Sequence, residues 1–176
     1  MEIDQECYTG EYVGEISNMI DRYQKNNKSF VCVLVEDKVI VYINFFAVRD
    51  ALWEEIIRDG DVIRDDDIKP YEMADYQKEG NRLYILSIAI TEKYRDQKQV
   101  IKLLTDNFIK YLNELNSTYK IEAIAGVAVS ADGRKYLSNC RFSKVRKLKD
   151  GNVVFVCDTD SLEKLLMNDL KFTAKE

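Results

Sequence analysis

The sequence predicts an α+β fold, a mixed central β-sheet flanked by helices on both faces. Three observations predict it. Two β-rich runs, FVCVLV and VIVYINFF, are separated only by the polar residues Glu36, Asp37 and Lys38. Two near-continuous apolar runs, LYILSIAI and IEAIAGVAV, enclose the strongest helical pattern of the chain. Two further strand-like runs are joined through Asp150-Gly151, a pair suited to a tight hairpin turn.

Taken in order, residues 11–25 carry Tyr12, Ile16, Met19, Ile20 and Tyr23 at helical spacing, and the stretch NNKS ends them. Residues 30–35 and 39–46 form the first hairpin. Residues 47–58 predict a helix with Leu52, Trp53, Ile56 and Ile57 on one stripe and Gly60 just past its end. Residues 59–80 then turn acidic and irregular around Pro70, a loop insertion before the central strand, too poor in apolar residues to pack firmly. Residues 83–90 read as a strand covered on both faces. A long helix follows over 95–115, its stripe formed by Val100, Ile101, Leu104, Phe108, Tyr111, Leu112 and Leu115. A second buried strand covers 121–129, so strand, helix and strand make a parallel unit with a right-handed crossover. A short helix at 132–139, strands at 142–148 and 152–157, and a helix at 161–170 with Ser161 as N-cap complete the chain. The whole of residues 1–176 reads as one domain.

Composition narrows the chemistry. Apolar residues make up 46% of the chain, enough for a core, and no apolar run is long enough to cross a membrane. The acidic opening MEIDQECYTGEY does not read as a signal peptide, and the expected location is the cytoplasm. Histidine is absent, which removes every mechanism built on a histidine base and any imidazole-ligated zinc. Cys7, Cys32, Cys140 and Cys157 stand far apart with no paired spacing; Cys32 and Cys157 lie inside apolar runs, as buried thiols of a reducing compartment would. No metal site is expected, and the Asp65-Asp66-Asp67 run lacks the alternation of a calcium loop. Residues 1–80 hold 9 Lys and Arg against 19 Asp and Glu, whereas residues 81–176 hold 17 against 12. That asymmetry points to one face for a cation and another for an anion, with plain solvated surface as the alternative. The overall acidity argues against nucleic acid as a partner.

The segments LYILSIAITEKYRDQKQVIKLL and GVAVSADGRKYLSNCRFSKV resemble the cofactor-binding core of the GNAT acyltransferase superfamily. The order and spacing of elements agree from about residue 30 to residue 157. The resemblance implies a GNAT-like fold, acetyl-CoA or another acyl-CoA as co-substrate, and direct transfer of the acyl group to an amine in a ternary complex. It implies that the strand edge Ile88, Ala89 and Ile90 pairs with the pantetheine arm. It places the pyrophosphate loop at Arg95, Asp96, Gln97, Lys98, Gln99 and Val100. Arg95 matches the motif's first position, while Lys98 and Val100 stand where the family has small residues. Backbone N–H groups at a helix start form an anion site, so the phosphates are expected on the N–H groups of Gln97, Lys98, Gln99, Val100 and Ile101. Lys93, Arg95, Lys98 and Lys102 gather at the same helix end, where an anion or the solvent together with Asp96 must offset them.

The catalytic half of the pattern is eroded. Counting back from Phe142 puts Arg141 at the family's glycine, Leu137 at its tyrosine and Ser130 at its asparagine. Tyr136 lies one residue from the tyrosine position. It is the candidate acid for the leaving thiolate, or else an ordinary packed aromatic with an exposed hydroxyl. In the acidic loop Asp59, Asp61, Asp65, Asp66, Asp67, Glu72 and Asp75 offer a base, and Asp65, Asp66 and Asp67 a docking site for a small-molecule amine or basic peptide. The alternative there is a solvated loop without a ligand. A second copy of the chain is a further candidate partner. The runner-up function is a GNAT-like binding or regulatory module that no longer catalyses.

Overall fold

The computed structural model describes residues 2–8 and 14–167. Six strands form one sheet in the order β1-β2-β3-β4-β6-β5. These are β1 (Phe30–Val35), β2 (Lys38–Ala47), β3 (Asn81–Ile90), β4 (Ile121–Ala128), β5 (Ser143–Lys147) and β6 (Val153–Cys157). Among the described residues only β3 and β4 pair in parallel, and the connection between them holds the helix α4 (Lys98–Thr118). The other helices are α1 (Glu2–Cys7), α2 (Ile16–Lys25), α3 (Asp50–Glu54), α5 (Ala131–Asn139) and α6 (Thr159–Leu166). The expected α+β class with a mixed sheet is the fold observed.

Alternation along the strands sorts the core into two layers. Ile43, Phe45, Leu83, Ile85, Ile124 and Phe155 pack with Leu104, Phe108 and Leu112 of α4 and Leu162 and Leu165 of α6. Phe46, Tyr84, Ala123, Ala125 and Val154 face the other way, against Leu52, Trp53 and Ile56. Both hairpins turn through residues with positive φ. Glu36 and Asp37 have φ of 50° and 63°, the paired positive values of a primed turn that follows strand twist. Gly151 has φ of 92° and donates its N–H to Leu148 O at 3.1 Å.

Several boundaries move, each for a local reason. The helix expected over 47–58 starts only at Asp50, because Ala47 and Val48 extend the sheet: Ala74 N bonds Ala47 O and Val48 N bonds Arg82 O. It then widens into a π-turn over Glu55–Asp59 that closes with Gly60 N on Glu55 O at 2.7 Å. Gly60 has φ of −66° and is no left-handed cap; a Cβ there would lie 2.6 Å from Ile63 Cδ1, so clearance is its reason. The long helix starts at Lys98 rather than residue 95, after a 3-10 turn over Glu92–Tyr94. The N-cap of α6 is Asp158, whose carboxylate accepts from Ser161 N at 2.9 Å, rather than Ser161 itself. Helix α1 was not expected, and α2 begins at Ile16; residues 9–13, which hold Tyr12, and residues 168–170 of the expected last helix lie outside the described residues.

The acidic stretch is a packed segment and not a loose loop. It forms two 3-10 turns, Asp65–Asp67 and Pro70–Glu72, and before, between and after them Ile63, Ile68 and Met73 enter the core with residues of α3. Arg22 of α2 is buried and fastens this segment. Its guanidinium pairs with the Asp65 carboxylate and donates to Asp65 O at 3.1 Å and Ile68 O at 3.0 Å. Asp66 accepts from Glu15 N and from Asn18 Nδ2, both at 2.9 Å, and so ties the segment to the start of α2. Burial alone would raise the Asp66 carboxyl, but those two bonds with Lys69 and Arg22 hold it below the usual carboxylate range. The stabilisation it gives is therefore present above about pH 4 and fades as pH falls through the depressed value.

Two outcomes are expected. Asp65→Asn leaves Arg22 buried without its counter-charge and should lower the unfolding free energy by roughly 2–4 kcal/mol in urea titration. Replacing Glu36-Asp37 by Asn-Gly supplies residues that enter positive φ without strain, and should raise it by about 0.5–1 kcal/mol.

Candidate functional site

The site starts from a defect in β3. Asn44 of β2 faces Ser87 and Phe45 faces Ile85, so Leu86 is an extra residue, a bulge. On the opposite edge, parallel pairing with β4 stops at Ile85 and Gly126. From there the two strands diverge and leave a notch. Antiparallel strands bond at alternate residues, and Thr91 N donates to Ile40 O; positions 87, 89 and 91 thus face β2. The main-chain groups of Ile88 and Ile90 consequently turn into the notch. Ala89 is fully buried against Tyr42 and Ile3.

The N-terminal segment meets those groups. Tyr8 Oη donates to Ile88 O at 3.0 Å and accepts from Ile88 N at 3.3 Å. Cys7 Sγ donates to Ile90 O at 3.2 Å, and Arg95 Nε donates to the same oxygen at 3.1 Å. Arg95 Nη2 also reaches Glu6 O, the end of α1, at 2.8 Å, and Glu92 N donates to Glu6 Oε2 at 3.2 Å. Arg95 therefore bridges the strand end to α1. Nothing in the residue pattern around Cys7 and Tyr8 signalled this: a short polar helix carries no periodicity long enough to read.

At the mouth of the notch α4 begins. Gln97 N donates to Tyr94 O, while Val100 N and Ile101 N both turn back to Gln97 O. Of the N–H groups expected to hold phosphate, those of Lys98 and Gln99 have no acceptor among the described residues. The basic cluster is similarly thinned. Lys102 pairs with Asp106 at 2.5 Å, Lys93 lies 5.3 Å from the centre of the Tyr94 ring, and Arg95 is engaged as above. Lys98 is exposed and has no ion pair among the described residues. Val100 packs its side chain against the main core, away from the N–H groups of the helix start.

The strand–helix–strand that follows carries the remaining candidates. Ser130 caps α5 by accepting from Gly133 N at 3.0 Å. Leu137 is buried in the core. Arg141 has φ of 69°, so the glycine position keeps a left-handed backbone although arginine occupies it. Thr105 Oγ1 donates to Ile101 O at 2.7 Å, which leaves it to accept the Tyr136 hydroxyl at 3.1 Å. Burial, followed by the nearby Cys140 thiol, pushes the Tyr136 phenol well above its usual value and keeps it protonated. Burial likewise pushes the Cys140 thiol up to about 12.

Of the three expected acceptor carboxylates, Asp65 and Asp66 serve the internal contacts described above, and Asp67 faces solvent. Burial, then the charges of Glu72 and Asp67, push the Glu55 carboxyl up. The Tyr84 phenol is pushed up by burial, then by Asp65 and by Tyr8.

No protein-family model matches this sequence, and no curated protein matches it. Solved structures do match. A GNAT-like decarboxylase in complex with isobutyryl-CoA, GphF, aligns with a TM-score of 0.63 at 10% identity, over 88% of this chain and 90% of that one. The ribosomal-protein-alanine N-acetyltransferase of Escherichia coli aligns at 0.52 and 10% identity, over 88% and 82%. A mutant of the toxin AtaT, bound to the C-terminus of the antitoxin AtaR and acetyl-CoA, aligns at 0.54 and 12% identity, over 92% and 86%. Identities this low establish architecture, and with the bulged β3, the β3–β4 notch and the helix that opens beside it, the fold of this chain is the GNAT-like fold.

Proposed function

We propose that this chain binds acetyl-CoA or another acyl-CoA in the β3–β4 notch and transfers the acyl group to an amine by direct attack. The observation that carries the reading is the divergence of β3 and β4 beyond Ile85 and Gly126, beside a helix start with unbonded N–H groups at Lys98 and Gln99. The solved structures that share the fold include one with isobutyryl-CoA, one with acetyl-CoA and one named an N-acetyltransferase, which supports the class of co-substrate. The thioester supplies the activated carbonyl.

In this reading the chain's own residues do four things. The main-chain groups of Ile88 and Ile90 hold the pantetheine arm as a neighbouring strand would, with Ala89 packed behind them. Lys98 and Gln99 receive the pyrophosphate on their N–H groups, and the Lys98 ammonium adds a charge-assisted bond; the N–H groups of Gln97, Val100 and Ile101 already donate within the chain and shape that first turn. Tyr136, kept protonated by burial, gives its proton to the leaving thiolate once its bond to Thr105 is released. Asp67 presents negative charge to a cationic acceptor, while Asp65 and Asp66 hold the segment that carries it.

A second reading, a binding module without turnover, has its own observation. Leu137 occupies the tyrosine position in the core, and the Tyr136 proton is directed at Thr105.

Acetyl-CoA at millimolar concentration should raise the melting temperature. Lys98→Ala should weaken its binding by about threefold to tenfold in low salt, with the gap narrowing at high salt as a surface charge contact requires. With a polyamine acceptor, thiol release should follow, and Tyr136→Phe should lower kcat at least tenfold without changing acetyl-CoA affinity, a typical loss for a general acid. Binding without thiol release for any amine supports the module. No binding by the parent or by the Tyr8→Ala variant removes both readings.

A further inference from the structure

The main-chain groups that the proposed function gives to a ligand already have partners inside the chain. Ile88 offers one N–H and one C=O to the notch, and the Tyr8 hydroxyl takes both. Ile90 offers its C=O, and Cys7 and Arg95 share it. A side-chain hydroxyl that accepts from an N–H and donates to the C=O of one residue uses that residue as a pairing ligand strand would. The segment is also anchored from behind. Ile3 is 6% exposed and packs on Tyr42 and Ala89, the residue between the two contact points. Glu6 closes the arrangement, its carbonyl on Arg95 and its carboxylate on the N–H of Glu92.

We propose that the N-terminal segment, residues 2–8, is an internal competitor for the acyl-CoA notch: acyl-CoA gains the main chain of Ile88 and Ile90 only when Tyr8 and Cys7 withdraw. This rests on the acyl-CoA reading above. The competitor is weakly held by design of its contacts. Helix α1 spans six residues; among the described side chains of the segment Ile3 alone is buried, Cys7 and Tyr8 pack only partly buried against the same cluster, and the other contacts described are hydrogen bonds. Segments with so few buried contacts open at low free energy. The apparent dissociation constant for acyl-CoA is then the intrinsic one divided by the fraction of molecules in which the segment is out. Arg95 is the pivot, because its guanidinium holds both the strand end and α1. When the segment leaves, Arg95 loses Glu6 O and gains freedom to face an anion arriving at the start of α4.

The test uses the full chain and acetyl-CoA. Affinity is measured by calorimetry for the parent, Tyr8→Phe and Tyr8→Ala, and iodoacetamide labelling of Cys7 is followed by peptide mass spectrometry with and without saturating acetyl-CoA. Tyr8→Phe removes both bonds to Ile88 and should tighten acetyl-CoA about fivefold or more. Acetyl-CoA should speed Cys7 labelling at least tenfold, while the buried Cys140 and Cys157 stay unlabelled. Binding to Tyr8→Ala with none to the parent gives the same support. Acetyl-CoA binding with equal affinity in all three proteins and an unchanged or slower Cys7 rate overturns the competitor and leaves the acyl-CoA reading standing. Absence of binding in all three proteins overturns both. The labelling arm needs no substitution, so a variant that fails to fold does not remove the test.

Discussion

The end of parallel pairing between β3 and β4 is the constraint from which the rest of the site follows. A parallel pair keeps its register only while both strands stay in plane, and the extra residue Leu86 turns β3 away just after the Ile85–Gly126 step. Beyond that step the chain has polar main-chain groups at Ile88 and Ile90 that no strand satisfies. Buried N–H and C=O groups must find partners, so something always fills that edge: a ligand, water or another part of the chain. Here it is Tyr8, Cys7 and Arg95. The same divergence lets α4 start beside the notch, with the N–H groups of Lys98 and Gln99 unbonded among the described residues.

The second interaction of consequence lies far from that edge. Arg22 is the buried member of a helix whose apolar residues Ile16, Ile20 and Tyr23 are about half exposed. Helix α2 is therefore held less by apolar burial than by one guanidinium that reaches into the acidic segment and by Asp66, which bonds Glu15 N and the Asn18 side chain at its start. Charge and fold are coupled here. The carboxylates that give the first half of the chain its negative excess are partly structural, and the net charge seen by an approaching cation is smaller than the residue count implies.

How much could be read from the residues alone depended on whether a signal was periodic. The hairpins, the two apolar strands and α4 have patterns long enough to be unambiguous, and the sheet they form is the one observed. The acidic segment misled because apolar residues at irregular spacing, Ile63, Ile68 and Met73, give no period although all three are buried. The π-turn after α3 was invisible, since its wider ring differs from a helix by one residue in where a single N–H closes. Of the candidate site, the strand β3 and the start of α4 were legible as elements, yet the first-turn bonds of Val100 and Ile101 to Gln97 and the seat of the Tyr136 hydroxyl on Thr105 depend on atoms that no spacing encodes. Tyr8 was missed outright, because its partner lies 80 residues away.

Arg141 carries a wider lesson about what a motif is. Its left-handed backbone is held by Phe142 N on Leu137 O at 3.0 Å and by burial of the Phe142 and Leu137 side chains, so the neighbours dictate the conformation and arginine merely tolerates it. For a residue with a Cβ that tolerance costs of order 1 kcal/mol, a sum a well-packed domain carries without difficulty. Glycine at such a corner is a convenience of the chain and the turn is the necessity. Such a corner can therefore form without glycine, and patterns written in letters will pass over chains that build the same shape from other residues.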